Sequence, residues 1–300
     1  MNLAKDLLTL RDISLILSGI FTGTLARFIT LKIDYRQVPS YPNGYFINIL
    51  VGFISAALGA VAIPALMVKD FTAITFLALA IQHFRDIREM EIKSLEKLEH
   101  TEYVKRGQAY IDGIGKTYES RNYISLLSSL ITVLIMSIIK IKNIYLNAIA
   151  GIIVGLLSAL FFRHFTKGKT VGDICTVEVG EISVQNSELF VDGLFVTNLL
   201  GSDRARELFI NEGIALVIKP KKDIFRVTME NFGQRQAILF ECIKAFGVKR
   251  HKFVRRSFTT GKIIIAFVPI ISDIEKLIAV AKFTPILENS RKIHRIMSHD

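Results

Sequence analysis

Residues 109–139 read Ala109-Tyr-Ile-Asp112-Gly113-Ile-Gly115-Lys-Thr-Tyr-Glu119-Ser-Arg121-Asn-Tyr123, followed by Ile124-Ser-Leu-Leu-Ser-Ser-Leu-Ile-Thr-Val-Leu-Ile-Met-Ser-Ile-Ile139. The second half carries no charge from Tyr123 to Ile139. At 1.5 Å per residue, about 20 apolar residues cross the ~30 Å of bilayer hydrocarbon, and this run approaches that length. The first half sets two carboxylates and two glycines among apolar side chains. A polar segment leading straight into a membrane-length run decides the class: a multi-pass α-helical membrane domain, followed by a soluble α+β domain.

Working outward, further apolar runs lie on both sides. Ile13–Leu31 and Tyr45–Val68 precede the stretch, and Ile144–Phe162 follows it after the short loop Lys140-Ile-Lys142-Asn143. Arg27 is the one charge in the first run and sits near its end, where a long side chain can reach the headgroups. Gly19 and Gly23, Gly52, Ala56, Gly59 and Ala60, and Gly151 and Gly155 give these runs small faces that let helices approach closely. Phe71–Phe84 is apolar for too few residues to be an ordinary span, and reads as a short or tilted crossing or a re-entrant segment. Helical spacing continues from it to Glu99, predicting one helix that leaves the membrane and turns amphipathic.

The membrane domain is thus placed at 1–168, with spans at about 13–31, 45–68, 71–84 (short or re-entrant), 123–139 and 144–162. Five spans put the N-terminus outside, and four put it inside. Both leave residues 85–121 and 169–300 in the cytoplasm by the distribution of Lys and Arg in the short loops.

Composition supports this division. Of 300 residues, 51% are hydrophobic, and the mean hydropathy is +0.41. The net charge of +11 is spread over both halves, so neither is a basic tail. Two isolated cysteines, Cys175 and Cys242, fit free thiols in a reducing compartment and form no metal motif. No cofactor or metal is expected.

Residues 169–300 read as a cytoplasmic α+β domain. Strands are predicted at 175–179, 181–184, 214–218, 225–228, 253–258 and 262–269, with a hairpin over 189–196 about the turn Asp192-Gly193. Helices are predicted from Ser202, from Asn231 to a stop at Gly247, and from a cap at Ser272. The cluster Lys249, Arg250, Lys252, Arg255 and Arg256 reads as a cationic face toward anionic lipid rather than nucleic acid.

Several catalytic classes are excluded. Gly115-Lys116-Thr117 echoes a phosphate-binding loop, but Tyr110 stands where that loop needs its first glycine. There is no Ser-His-Asp order, HExxH or zinc spacing. Carboxylates beside the membrane remain: Asp34, Asp70, Asp86, Glu89, Asp112 and Glu119. Two carboxylates held together split their pKa values, so that one is protonated and one ionised, as an aspartic-type hydrolase requires to activate water. Asp112, set between Tyr110-Ile111 and Gly113-Ile-Gly115, is the first candidate. Asp34 and Asp86 are its possible partners. A helix cap, or a salt bridge to Arg121, is the plain alternative for Asp112.

Tyr110-Ile-Asp-Gly-Ile-Gly115 and Tyr118-Glu-Ser-Arg-Asn-Tyr123 resemble the signature of the YIEGIA family, polytopic membrane proteins of spore-forming Firmicutes. Arg36–Gly44, Thr75–Asp86 and Asn231–Gln236 also look like family segments. Asp112 stands where the name motif has Glu, and Gly115 where it has Ala. The resemblance implies a sporulation setting and suggests membrane-linked proteolysis. Two functions follow as expectations. One is a sporulation-associated membrane protein acting on other membrane proteins as an aspartic-type protease. The other is a non-enzymatic membrane scaffold whose cytosolic domain binds a protein partner.

Overall fold

The structure, a computed structural model, describes residues 9–31, 42–67 and 72–291. Contacts divide the chain into Met1–Lys93 with Ile114–Lys167, and Ser94–Gly113 with Gly168–Asp300.

The first unit is built on α1 (Leu10–Leu31), α2 (Pro42–Met67), α3 (Thr72–Leu98), α4 (Gln108–Ile139) and α5 (Ile144–Phe165). Four of them, Leu10–Leu31, Gly44–Met67, Gln108–Ile139 and Ile144–Phe165, are long and apolar enough to cross a membrane, and mark a membrane protein. Local chemistry starts them cleanly. The Asp12 carboxylate accepts from the backbone N–H and hydroxyl of Thr9, and Asn143 Oδ1 accepts from Tyr145 and Leu146 N–H. Each cap satisfies donors that a first helical turn leaves orphaned.

Small residues set the packing. A Cβ on Gly23 would lie 2.6 Å from both the Ala56 Cβ and the Ser125 carbonyl, so α1 closes on α2 and α4 only without a side chain there. Ser125 Oγ donates at 2.8 Å to the carbonyls of Gly23 and Gly52, and Ser129 Oγ at 2.7 Å to that of Ala56. Without water, such bonds are how a hydroxyl in a bundle is satisfied.

These contacts give each helix its direction. Gly19 meets Ala60 and Arg27 meets Gly52, so α2 runs antiparallel to α1. Gly19 also meets Val133 and Arg27 stacks on Tyr118, so α4 does the same. Met136 meets Gly151, which turns α5 back along α1. Phe84 packs edge-on against Tyr123 at 5.1 Å, Arg88 pairs with Glu119, and Ile92 touches Gly115, so α3 lies antiparallel to α4. Helices α1 and α5 therefore run one way along the bundle, and α2 and α4 the other. Arg11, Ile139 and Ile144 lie at one end, and Leu31, Ile114 and Phe165 at the other.

The second unit holds two antiparallel sheets. The larger has the order β1 (Cys175–Gly180), β5 (Ile214–Pro220), β7 (Ile263–Phe267), β6 (Lys252–Arg256). The smaller is β2 (Ile182–Gln185), β3 (Glu188–Val191), β4 (Leu194–Thr197). Between β3 and β4, Asp192 and Gly193 take φ of 49° and 74°, the left-handed turn that an Asp-Gly pair predicts. Leu189, Val191, Val196, Val217 and Ile264 form a core with Phe209 of α7 (Asp203–Glu212). The alternate residues of β5 and β7, among them Leu216, Ile218, Ile265 and Phe267, are also fully buried, so the central strands are covered on both faces. The remaining helices are α6 (Val171–Ile174), α8 (Asp223–Glu230), α9 (Phe232–Phe246) and α10 (Ile274–Phe283).

Two sequence expectations are corrected. Residues 225–228, predicted as a strand, lie within α8. Asp223 opens that helix and pairs with Arg226 one turn on, and Thr228 and Met229 turn inward. Local helical pairing outweighs the β-branched and aromatic composition. The cap of α10 is Asp273, whose carboxylate accepts from Lys276 N–H, rather than Ser272.

Candidate functional site

The stretch 109–123 lies within α4. Gly113 and Gly115 both lie in regular helix, and Gly115 is closely approached by Ile92 of α3. The turn comes earlier, at Gly107 with φ of 87°. Just before α4, the Glu99 carboxylate accepts from the N–H groups of Arg106 and Gly107 at 2.8 and 3.1 Å. A carboxylate at a helix start satisfies orphan donors and complements the dipole.

Residues 94–113 belong to the second unit and are fastened to α9. Tyr110 Oη donates to Glu241 Oε1 at 2.5 Å, and its ring meets Phe240 edge-on at 6.3 Å. The Arg106 guanidinium lies 5.0 Å over the same Phe240 ring while pairing with Glu102. Gln236 Nε2 donates to the Lys105 carbonyl at 2.6 Å. Tyr103 Oη donates to the Arg250 carbonyl, and Lys252 Nζ donates to the Tyr103 carbonyl, each at 2.8 Å.

The carboxylate candidates fall on different elements. Asp112 is half-buried on α4, in the second unit, and already engaged in polar interaction. Asp86 is exposed on α3, in the first unit. Asp34 and Asp70 lie outside the described residues. Glu119 accepts from Arg88 at 3.1 Å, and Glu89 pairs with Lys93. No group of three or more His, Cys, Asp or Glu suited to a metal occurs among the described residues.

The basic cluster is partly committed to local partners. Lys249 pairs with Glu212, and Arg256 with Glu230. Lys252 lies 4.3 Å over Tyr103, and Arg255 lies 5.6 Å over Phe195. Burial lowers the Lys252 ammonium below its ordinary pKa, and burial followed by the Arg250 charge does the same to His251. Burial also pushes the Cys175 and Cys242 thiols up to about 12.

Inside the bundle, Arg27 departs from expectation. It does not reach out of the bundle but is fully buried. Its Nη2 donates to Asn48 Oδ1 at 2.9 Å and its Nε to the Asn48 carbonyl at 3.3 Å, and the guanidinium lies 4.9 Å over Tyr118. Gly52 leaves the room that the side chain's methylenes occupy.

A family model described as "YIEGIA protein" matches residues 15–296. The chain belongs to the YIEGIA family. A Bacillus subtilis (strain 168) protein described as "Uncharacterized protein YphB" is 35% identical over 282 residues, covering 92% of each chain. No solved structure matches. The YIEGIA name words correspond here to Tyr110–Gly115, and their packing gives them a physical role. Tyr110 is buried against α9, and Gly115 lies against α3. An Ala at 115, as in the name, would place its Cβ 2.8 Å from Ile92 Cγ1. The YIEGIA words thus lie where α4 changes neighbours, from the second unit at Gly113 to the first at Ile114.

Sequence reading missed Glu241 and Asn48. Glu241 lies far from Tyr110 along the chain and sits mid-helix in α9. Asn48 left a weak signal as a lone amide in an apolar run, the kind of residue that pays for burial by finding a partner.

Proposed function

We propose that this protein is a non-enzymatic membrane scaffold, in the sporulation setting implied by the family resemblance, whose α+β unit binds a protein partner on the cytoplasmic side of a bacterial cell membrane. The observation that carries this reading is an exposed apolar ridge after β7. Ile270 and Ile271 are 63% and 57% exposed, and Ile274 follows at 45%. The backbone is nevertheless pinned: the N–H groups of Ile270 and Ile271 both donate to the Phe246 carbonyl at 3.1 Å. Branched apolar side chains held outward on a fixed turn lose little entropy on association and gain by being covered. In this reading the cluster Lys249–Arg256, with Arg250 exposed, lies toward the anionic cytoplasmic leaflet.

The test uses the full chain in native membranes, with a photo-crosslinking side chain at position 271 and a control at Lys276. The scaffold reading expects one discrete protein adduct from position 271, lost when Ile270→Asp and Ile274→Asp are added. Crosslinks to lipid alone, or none, overturn it. In parallel, Asp112→Asn, Asp34→Asn and Asp86→Asn should leave every membrane protein unchanged in size. An uncleaved membrane protein accumulating in any of them would install the protease reading instead.

A further inference from the structure

At the end of the bundle where α1 and α5 begin, a cavity of about 180 Å³ is lined by Arg11, Ser14, Lys142 and Asn147, with Met136 and Ile141 as apolar wall. Among the described residues, two cations line it and no carboxylate does. Asp12, the acidic residue beside Arg11, has its carboxylate on Thr9. Asn147 is 3% exposed; its Nδ2 donates to the Met136 carbonyl at 3.2 Å. Its Oδ1, and the Arg11 Nη2, are shut off from solvent and have no hydrogen-bond partner among the described residues. A buried donor and a buried acceptor left unpaired beside one cavity are costly unless something fills it. A volume of that size exceeds one water's share of about 30 Å³ several times over. Helices α1 and α5, of 22 residues each, begin at this end, so the positive ends of two dipoles add to the two cations.

We propose that this cavity binds the phosphate of an anionic phospholipid headgroup. Phosphate oxygens accept from Arg11 Nη2, Lys142 Nζ and Ser14 Oγ, and a headgroup hydroxyl donates to Asn147 Oδ1. The site lies where helices of membrane length begin, at headgroup depth, and Arg and Lys donors make strong charge-assisted bonds to phosphate oxygens. Exposed apolar side chains on the same helices, Leu17 and Phe21 of α1 and Ile149 and Ile153 of α5, continue into the span, where acyl chains lie. This site goes beyond the scaffold reading and survives its failure.

The full-length protein in detergent is titrated with phosphatidylglycerol, phosphatidylcholine, glycerol phosphate and inorganic phosphate. Bound ligand is counted by native mass spectrometry and the thermal midpoint followed. Phosphatidylglycerol is expected to bind saturably, with Arg11→Gln and Lys142→Gln each weakening it about fivefold, the equivalent of about 1 kcal/mol per cation. Ser14→Leu fills the cavity without changing charge and should abolish binding. Lys140→Gln, a neighbouring cation outside the cavity, should leave it within twofold. Lys142 and Lys140 are exposed loop residues, so this comparison stands even where Arg11→Gln or Ser14→Leu fails to fold. Equal binding of glycerol phosphate, lost in the same variants, keeps the phosphate site and transfers it to a soluble source. Equal losses from Lys140→Gln and Lys142→Gln, undiminished binding in Ser14→Leu, or no saturable binding of any ligand overturns the proposal.

Discussion

Tyr110 and Glu241 are joined by a 2.5 Å hydrogen bond in which the phenol donates to the carboxylate, with the two residues 5% and 6% exposed. The bond fixes the first turn of α4 to α9, and it does so from the opening residue of the family's name motif. Removing the phenol leaves a buried carboxylate oxygen without that donor, which costs about 1.5–3 kcal/mol for a charged acceptor. Tyr110→Phe should therefore destabilise the second unit by about 2 kcal/mol. Glu241→Gln, which keeps an acceptor, should cost less. The chain has no tryptophan, so near-ultraviolet circular dichroism from tyrosine during urea unfolding is the suitable measurement. An unchanged midpoint in Tyr110→Phe would show that the bond contributes nothing.

Asp112 lies in the first turns of α4, and Lys142 just beyond its other end at Ile139. The proposed function has the second unit cytoplasmic, and on that reading the charge rule puts Lys142 outside. Lys142→Cys should react with a membrane-impermeant maleimide on intact cells. Asp112→Cys should react only after permeabilisation. Labelling of both from outside contradicts the alternation of the helices, and labelling of position 112 alone reverses the orientation.

The native thiols should stay silent in that experiment. Cys175 and Cys242 are 1% and 0% exposed, and burial holds both near a pKa of about 12 against the ordinary 9. A group whose folded pKa is raised contributes stability that is whole below the unfolded pKa and is lost as pH rises toward the folded value. The second unit should therefore weaken as pH climbs from about 9 toward 12. Cys175→Ala and Cys242→Ala should each flatten that alkaline slope, measured as the urea midpoint against pH. A slope unchanged in both variants would assign the alkaline loss to other groups.

The membrane class and most α+β elements were legible because they rest on local signals: apolar length, the Asp192-Gly193 turn, the caps Ser202 and Asn231, and the stop at Gly247. α8 was not, since Phe225-Arg-Val-Thr228 has strand composition and only the Asp223–Arg226 pairing and the inward turn of Met229 make it a helix. The central stretch was found by its composition. No sequence pattern shows that Ile92 packs on Gly115. The Tyr110–Glu241 and Arg27–Asn48 pairs join residues distant in sequence, and spacing carries no trace of such partners.

Gly115 offers a test of that packing through coupling. An Ala in a helix interior is favoured over Gly by about 1 kcal/mol. Here the added Cβ would sit 2.8 Å from Ile92 Cγ1, closer than side chains tolerate. Gly115→Ala should destabilise the wild-type bundle and stabilise an Ile92→Ala background, so the sign of the effect reverses across a double-mutant cycle. The same sign in both backgrounds would show that Ile92 is not what keeps residue 115 small.

Arg27 sets the last expectation. Its planar guanidinium donates to the Asn48 side chain from one nitrogen and to the Asn48 carbonyl from another, while its face covers Tyr118. A lysine keeps the charge but is a compact point donor that cannot hold both bonds and stack at once. Arg27→Lys should therefore cost about 2 kcal/mol, as the loss of a hydrogen bond to a charged group predicts, although the charge is conserved. Arg27→Met keeps the apolar stem beside Gly52 and removes the charge, leaving Asn48 Oδ1 short of a donor in a bundle interior. It should lose both Asn48 bonds, where lysine keeps one, while escaping the cost of a buried ammonium. The thermal midpoint of the detergent-solubilised bundle should accordingly rank wild type above Arg27→Met, and Arg27→Met at or above Arg27→Lys. A lysine variant as stable as wild type would show that charge alone, and not the geometry of the guanidinium, holds α1 to α2 at this level.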